Sequence, residues 1–298
     1  MNADKVHYCN ACNNELQPNL NSQYALCSKC HSYSLISESN AEEDNKKYFN
    51  EQFKNSATKN SKLRDTIYRI ISRIDFSLHR QTELNLDTYF NHGKTSCEIG
   101  FGAGSHLIKR LKQGTEIHGI DLSKTAVLSF RNRFPEFKGS VTESIEIPDN
   151  CSLVYSDALL EHTQSPKLFL ENIHKRMNKS GKIIMRFPFI SDHIHDSTEL
   201  NDINFWAPCH RTVLSMTGIQ TLFSSAGYTI EISHITNTYA YRVLNIFLEK
   251  GLKNTHQHRN TNACSIDHPN FFAHITILLK AIFKKKRSTE ITIIAQKT

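Results

Sequence analysis

The chain has 298 residues, of which 39% are hydrophobic and 22% are charged, and its net charge is +7. These proportions fit a globular protein with an ordinary core and argue against a disordered or fibrous one. No stretch comes near the roughly 20 consecutive apolar residues that a membrane span needs. The segment after Met1 is polar, unlike a signal peptide. We therefore expect an intracellular, cytoplasmic protein.

Two C-x-x-C pairs stand near the start of the chain. Cys9 and Cys12 form the first pair, Cys27 and Cys30 form the second, and 14 residues separate the pairs. This spacing is typical of a tetrahedral zinc site, to which each pair supplies two thiolates from a tight turn. A disulfide or redox pair is the alternative, which an intracellular location disfavours. We expect a structural Zn²⁺ in a zinc-ribbon module over residues 1–36.

A polar segment and then a helix follow the cysteines. Residues 37–62 are polar and rich in lysine, which predicts an exposed linker. Ile67, Ile70 and Ile71 then recur at helical spacing, so we expect a helix that packs on the main domain. We place that main domain at residues 63–298.

From Thr95 onward, short apolar runs alternate with amphipathic stretches. The predicted strands are "TSCEIG", "EIHGID", "CSLVYS", "KIIMRFP", "YTIEISHI" and "EITIIAQ". The predicted helices are "SHLIKRLKQG", "SKTAVLSFRNRFP", "SPKLFLENIHKRMNKSG" and "LSMTGIQTLFSSAG". This alternation predicts an α/β fold with a doubly wound, Rossmann-like sheet, and ligands that bind at the carboxyl ends of its strands.

The first predicted strand runs into the glycine-rich stretch "EIGFGAGS". Glycines at positions 100, 102 and 104 imply that the backbone approaches a ligand closely. Ser105 stands where the dinucleotide fingerprint has its third glycine. Glu98, at the mouth of the loop, would repel a pyrophosphate and attract a positively charged ligand.

A second carboxylate follows at the end of the next strand. Asp121 lies 17 residues after Gly104, where a carboxylate can accept both hydroxyls of a ribose. The two acids together favour a nucleoside that lacks phosphates and carries positive charge. S-adenosylmethionine, with its ribose, ammonium and sulfonium groups, has this chemistry.

The stretches "EIGFGAG", "GIDLS" and "YSDALLEHTQSPKLFLENIHKRMNKSGKIIMRFP" resemble class I S-adenosylmethionine-dependent methyltransferases, above all the small-molecule branch with ubiquinone-pathway and sugar methyltransferases. The resemblance implies a seven-stranded sheet whose last strand is antiparallel. It also implies that the methionine part of the cofactor lies among Glu98, Gly100, Gly102 and Gly104.

The same resemblance implies the remaining cofactor contacts. Asp121 would bind the ribose, with Leu122 beside it, and Asp157 would also line the cofactor site. Many relatives carry an acid after the third strand that meets the adenine amine. Here Ser140 lies near that place, and Glu143 is the candidate substitute.

Two histidines fall where the acceptor should bind. His162 follows the strand "CSLVYS", and His210 lies on the loop after "KIIMRFP". Either could take the acceptor's proton or contact the acceptor, and a structural hydrogen bond is the alternative for each. "HRTVLS" is similar to the stretch that holds a proposed base in sugar C-methyltransferases, so we favour His210, with His162 second. Some ubiquinone O-methyltransferases bind magnesium through E-x-x-E-H, but Ala158 replaces the first glutamate here and argues against a metal.

An insertion at about 239–287 precedes the last strand. Its second half is apolar and ends in four cations, Lys284 to Arg287. A lid or dimer contact is the ordinary interpretation of such a segment, and a peripheral contact with an anionic membrane is the alternative.

We therefore expect methyl transfer to a small-molecule acceptor, a sugar or another metabolite, at oxygen or carbon. Three alternatives stay open: an RNA methyltransferase whose ribbon binds RNA, methylation of a lipid-like or quinone substrate at a membrane, and a non-catalytic binding module. Lys5 and Lys29 are the only lysines or arginines in the first 36 residues, which argues against nucleic acid. The intact glycine loop argues against a module without activity.

Overall fold

A computed structural model describes residues 6–17, 23–36, 43, 84–90, 94–113, 116–137, 140–143, 146–190, 204–205, 207–236 and 289–298. The predicted linker (apart from Glu43), the isoleucine-rich helix and the insertion at about 239–287 lie outside the described residues. None of the helices in the described part has the length and apolar character that a bilayer crossing needs.

The described residues form twelve strands and four α-helices. The strands are β1 (His7–Tyr8), β2 (Glu15–Leu16), β3 (Tyr24–Leu26), β4 (Tyr33–Leu35), β5 (Ser96–Ile99), β6 (Ile117–Ile120), β7 (Val141–Thr142), β8 (Cys151–Asp157), β9 (Met177–Phe189), β10 (Thr212–Val213), β11 (Tyr228–Thr236) and β12 (Thr289–Lys297). The helices are α1 (Ser105–Lys112), α2 (Lys124–Arg133), α3 (Pro166–Arg176) and α4 (Met216–Ser225). Short 3-10 helices lie at Leu86–Tyr89 and Leu160–His162.

Seven strands form the central sheet, in the order β11-β12-β9-β8-β5-β6-β7. Strands β5 to β9 pair in parallel, and β12 is antiparallel to both of its neighbours. The predicted seven-stranded, doubly wound sheet with an antiparallel last strand is therefore confirmed. Ile183, Ile184 and Met185 of β9 are all fully buried, as expected for a strand with both faces covered.

One predicted boundary is wrong. The sequence predicts that the helix "SPKLFLENIHKRMNKSG" ends at Gly181, but α3 ends at Arg176 and β9 begins at Met177. Lys297 of β12 explains the early stop, because its ammonium donates to the carbonyls of His174 and Met177 at 2.6 and 2.9 Å. A cation bound to the last carbonyls satisfies the end of the helix at this point.

The cysteine-bearing segment forms a small module with two parts. Strand β1 pairs with β2, and β3 pairs with β4. Strand β10, which follows His210 in the chain, pairs with β4 and completes a three-stranded sheet. Module residues such as Cys27 and Cys30 belong to the same hydrophobic core as Ile219 and Leu222 of α4. A strand of the large domain therefore forms part of the module.

The contact between the module and α4 is close. Ser32 accepts a hydrogen bond from the backbone N–H of Ser215 at 3.1 Å, just before α4 begins. A Cβ atom at Gly218 would lie 1.9 Å from Ser32 Oγ. A side chain at position 218 would therefore force Ser32 Oγ out of its hydrogen bond with the Ser215 N–H.

Candidate functional site

The glycine loop connects β5 to α1 at the carboxyl edge of the sheet. Gly100, Gly102 and Gly104 all have positive φ angles, of 73°, 54° and 75°, in the left-handed region where side chains are strained. A Cβ atom at Gly104 would also lie 2.2 Å from the ring of Phe130. The loop is therefore a tight turn whose backbone is held against α2.

Glu98 lies at the start of this loop and is only 3% exposed. Its Oε2 atom has no hydrogen-bond partner among the described residues. Burial, followed by the charge of Asp157, raises the pKa of Glu98 to about 8, while Arg110 opposes the shift. With this pKa, Glu98 is mostly protonated at neutral pH in the free protein, and a cationic ligand with N–H donors would favour its ionised form and pair with the free oxygen.

Asp121 is held in place by the loop itself. Its Oδ2 accepts from the Gly102 backbone N–H at 2.9 Å, and its Oδ1 accepts from the Ser123 N–H at 2.8 Å. Burial raises the pKa of this carboxyl, and the two hydrogen bonds lower it. Each oxygen keeps a lone pair, so the carboxylate can still accept ribose hydroxyls. Leu122, the next residue, is half-buried.

The other two predicted cofactor residues lie at the same edge in different settings. Glu143 is exposed and directly follows β7. Asp157 ends β8 and is paired with Arg186, whose Nε donates to Asp157 Oδ1 at 2.7 Å. The pairing of β8 with β9 places Asp157 opposite Arg186. Sequence reasoning missed this ion pair because it depends on the register of the two strands.

The structure brings His162 and His210 together. Their rings meet edge to face, with centroids 4.8 Å apart, and the side chains are 6% and 4% exposed. His162 belongs to the 3-10 helix after β8, and His210 precedes β10. A Cβ atom at Gly100 would lie 3.3 Å from Leu159, three residues before His162. The segment that carries His162 therefore packs against the glycine loop through Leu159.

Backbone carbonyls orient both imidazoles. His162 Nδ1 is 2.8 Å from the Cys209 carbonyl, and His210 Nδ1 is 2.8 Å from the Asn204 carbonyl. A carbonyl only accepts, so in each ring Nδ1 carries the proton and Nε2 keeps a lone pair in the neutral form. Glu161 is 2% exposed, and its Oε1 lies 3.9 Å from His162 Nε2. The arrangement can bind a proton or a cation.

The four predicted zinc ligands also converge. One Sγ from each of Cys9, Cys12, Cys27 and Cys30 lies within 4.8 Å of all the others. The Cys9–Cys30 and Cys12–Cys27 Sγ distances are both 3.5 Å, far longer than the roughly 2.05 Å of a disulfide. Tetrahedral Zn–S bonds of about 2.3 Å place sulfurs about 3.8 Å apart. The distances fit a zinc ion and exclude a disulfide in this structure.

The two cysteine pairs have the same backbone geometry. The N–H of Asn13 donates to the Cys9 carbonyl, and that of His31 donates to the Cys27 carbonyl, both at 2.9 Å. Asn13 and His31 have positive φ angles of 56° and 58°. Repeated tight turns of this kind aim both sulfurs of a pair at one point, as a zinc knuckle requires.

Sequence reasoning missed how the module supports His210. The hydroxyl of Tyr24 donates to the His210 carbonyl at 2.7 Å, and the N–H of Leu35 donates to the Arg211 carbonyl at 2.9 Å. The side chain of Asn10 donates to Thr212 Oγ1 at 2.8 Å. No short sequence pattern reveals such contacts, because about 200 residues separate their partners.

A cavity of about 240 Å³ lies at the opposite edge of the sheet. It is lined by residues near the starts of three strands, including Ser96, Ser152 and Lys182. Ligands of open α/β sheets bind at the carboxyl ends of the strands. The cavity is therefore distinct from the candidate site.

Comparison with known families decides the class of protein. A family profile described as a methyltransferase domain matches residues 64–232, more than half of the chain. The chain belongs to this family. With the class I strand order of its sheet, the predicted class I S-adenosylmethionine-dependent methyltransferase is confirmed. No curated protein sequence gives a significant match.

Solved structures with low sequence identity share the fold of this methyltransferase. Geranyl diphosphate C-methyltransferase from Streptomyces coelicolor A3(2), solved with Mg²⁺, geranyl diphosphate and S-adenosyl-L-homocysteine, has a TM-score of 0.58 and 10% identity, and the match covers 88% of this chain and 100% of that one. The cyclopropane synthase MmaA2 from Mycobacterium tuberculosis has a TM-score of 0.53 and 15% identity over 76% of this chain and 84% of that one. At such identities the likeness concerns the fold alone.

Proposed function

We propose that this methyltransferase transfers the methyl group of S-adenosylmethionine to oxygen or carbon of a small molecule, a sugar or another metabolite. The observation that carries the proposal is Glu98, a buried carboxylate with an unpaired oxygen at the mouth of the glycine loop. The cofactor's ammonium group supplies the charge and the N–H donors that this oxygen lacks. A dinucleotide would place phosphate charge there instead.

The other predicted cofactor residues take roles consistent with that position. The glycine backbone lies against the methionine part, Asp121 accepts the ribose hydroxyls, and Glu143 lies at the edge strand on the adenine side. Asp157 already has Arg186 as a partner, so its proposed role is electrostatic and not a direct contact with the cofactor. Burial raises the pKa of Glu98, and the negative charge of Asp157 raises it further.

The acceptor side is assigned to the histidine pair. A neutral imidazole with Nδ1–H bound to a carbonyl presents Nε2 as the base, and both His210 and His162 have this arrangement. We retain His210 as the base and His162 as the second candidate. Alignment of the acceptor oxygen or carbon with the methyl group supplies the rest of the catalysis.

We further propose that Cys9, Cys12, Cys27 and Cys30 hold a structural Zn²⁺. The sulfur spacing fits this ion, and the thiols change one another's pKa values. The hydrogen bond between Cys9 and Cys30 lowers the pKa of Cys30 to about 5 and raises the pKa of Cys9 well above its ordinary range. Four thiolates share so small a space only with a cation between them.

A small-molecule acceptor in the cytoplasm agrees with these features better than RNA does. Lys29 is the one lysine or arginine among module residues 6–17 and 23–36. A phosphate backbone therefore meets little positive charge there. Peripheral membrane contact through residues 239–287 stays a prediction from the sequence.

Calorimetry tests the proposal directly. S-adenosylmethionine and its demethylated product should both bind to the full chain, and NAD⁺ should not. A panel of sugar nucleotides and small hydroxylated metabolites should then yield a methylated product, detected by mass spectrometry. Tight binding of NAD⁺ without binding of S-adenosylmethionine would refute the proposed cofactor, and methylation of RNA alone would refute the proposed acceptor.

A further inference from the structure

We propose that Glu161, His162 and His210 bind one divalent transition-metal ion, at a site distinct from the four-cysteine cluster. One potential ligand atom from each of the three lies within 4.8 Å of the others. All three side chains are buried, at 2%, 6% and 4% exposure. A carboxylate and two imidazoles gathered out of water form a recognised donor set for a metal ion.

The backbone prepares both imidazoles for this role. Metal-binding histidines commonly donate their other ring N–H to a carbonyl or carboxylate, which fixes the ring and the tautomer. His162 and His210 both do so, through Nδ1 and the carbonyls of Cys209 and Asn204. Because Nδ1 of each ring carries the proton, Nε2 is the ring atom that would bind the ion.

The two segments that carry the ligands are tied to each other. The Arg211 N–H donates to the Glu161 carbonyl at 2.6 Å, and His162 contacts the carbonyl of Cys209. Glu161 Oε1 and His162 Nε2 are 3.9 Å apart, whereas ligands at about 2.1 Å in a tetrahedral site are about 3.4 Å apart. Binding of an ion therefore needs the Glu161–His162 separation to close by about half an ångström, and the separations to His210, which are at most 4.8 Å, to close by at most about 1.4 Å.

The donor set selects the kind of metal. Two imidazoles and one carboxylate suit Zn²⁺ or Fe²⁺, whereas Mg²⁺ prefers oxygen ligands throughout. The sequence analysis disfavoured a metal here because Ala158 replaces the first glutamate of the E-x-x-E-H motif. In the structure a third ligand comes from His210, on a separate loop. Three protein ligands would leave a coordination position open for an oxygen atom of the acceptor, an assignment that rests on the proposed methyl transfer. In the metal-loaded protein His210 Nε2 would be a ligand and not the base, and the ion would activate the acceptor in its place by lowering the pKa of the bound hydroxyl.

Metal content tests the site in the full chain. The protein is stripped with a chelator, loaded with excess Zn²⁺, dialysed, and its zinc content per chain measured by mass spectrometry. We expect two ions in the unmodified protein and one in both Glu161→Gln and His210→Ala. His118→Ala is the matched control, because His118 contacts Ser140 away from the cluster, and it should keep two ions.

Two further measurements test whether the variant is folded and whether the second zinc ion lies at the proposed site. Binding of S-adenosylhomocysteine should be unchanged in Glu161→Gln, which shows that the variant is folded, and anomalous diffraction at the zinc edge should show a peak among Glu161, His162 and His210 in the unmodified protein. One zinc ion per chain in the loaded wild type, two in both variants, or no peak at the cluster would overturn the proposal. A chain that holds two ions but methylates nothing would keep the metal site and reject the proposed function.

Discussion

The proposed site has a cofactor half and an acceptor half, and the two are built in opposite ways. The cofactor half is a continuous turn from Glu98 to Gly104, joined to Asp121 by a hydrogen bond from the turn's own backbone. The acceptor half takes His162 and His210 from different loops, and module residues such as Tyr24 hold the second loop. A turn is specified by its own glycines, whereas the acceptor half depends on contacts between distant segments. Damage to the module should therefore spare the cofactor half.

The largest effect is expected from Cys27→Ser. Loss of one of four thiolates removes the proposed zinc ion, and such losses reduce the free energy of unfolding by the order of 4 kcal/mol. Zinc content and thermal unfolding measure the damage, and calorimetry with S-adenosylhomocysteine should show affinity within about threefold of wild type.

Cys151→Ala provides the control for that variant. Cys151 is equally buried but lies in β8, so its loss should leave zinc in place. If Cys27→Ser abolished cofactor binding in a chain that is still folded, the two halves would not be independent.

Gly104→Ala tests the cofactor half of the proposed site. The new methyl group meets both a left-handed φ and the ring of Phe130, which together cost about 2–4 kcal/mol. We expect cofactor binding to fall below detection in calorimetry while the zinc content stays at the wild-type value. Ala103→Ser, at an exposed neighbouring position, should bind normally. Normal binding by Gly104→Ala would show that the loop can adopt another conformation.

Glu98→Gln removes the charge without changing the shape. A hydrogen bond to a charged group contributes about 1.5–3 kcal/mol, so the affinity for S-adenosylmethionine should fall about ten- to hundredfold. Affinity for adenosine, which lacks the ammonium group, should barely change. An equal loss for both ligands would place the glutamate away from the methionine part.

The same glutamate predicts a pH dependence of stability. Its folded pKa of about 8 lies above its ordinary value of 4.5, so between these values the folded chain holds a proton that the unfolded chain has lost. The free energy of unfolding should therefore fall as the pH rises through this window, by at most about 1.4 kcal/mol per pH unit from this group. Urea titrations of wild type and Glu98→Gln should diverge there. Parallel curves would contradict the prediction.

The smallest effect is expected from Tyr24→Phe. It removes the hydrogen bond to the His210 carbonyl, which is worth about 1 kcal/mol, and leaves the aromatic packing in place. The imidazole NMR signals of His210 should shift while affinity for S-adenosylhomocysteine is unchanged. Tyr8→Phe, at a side chain that is 55% exposed, should leave those signals unmoved.

Sequence reasoning could reach the cofactor half because its chemistry lies within a few residues. Glycines 100, 102 and 104 indicate a turn in any protein, and Glu98 and Asp121 follow from strand ends that alternation predicts. The doubly wound character of the sheet follows equally from the alternation of strands and helices, whereas its seven strands and antiparallel last strand were expected only from the family resemblance. The four cysteines could be found for the same reason, since each C-x-x-C pair is a local turn.

The acceptor half could not be derived in this way. His162 and His210 were weighed as rivals because nothing local indicates that their loops meet, and the pairing of β4 with β10 joins residues about 180 positions apart in the chain. The end of α3 was missed because Lys297 of the last strand supplies the cap. Each failure concerns a contact between distant segments.

The approach of Ser32 to Gly218 has a consequence for how such enzymes could be recombined. A side chain at position 218 would collide with Ser32 of the module, so we expect the module to pack best on a helix that has glycine at this position. Grafting the cysteine-bearing segment onto another methyltransferase would require residues 211–218 to be transplanted with it. In a chimera, we expect these two pieces to pack correctly only when they are transferred together, although they are distant in the sequence.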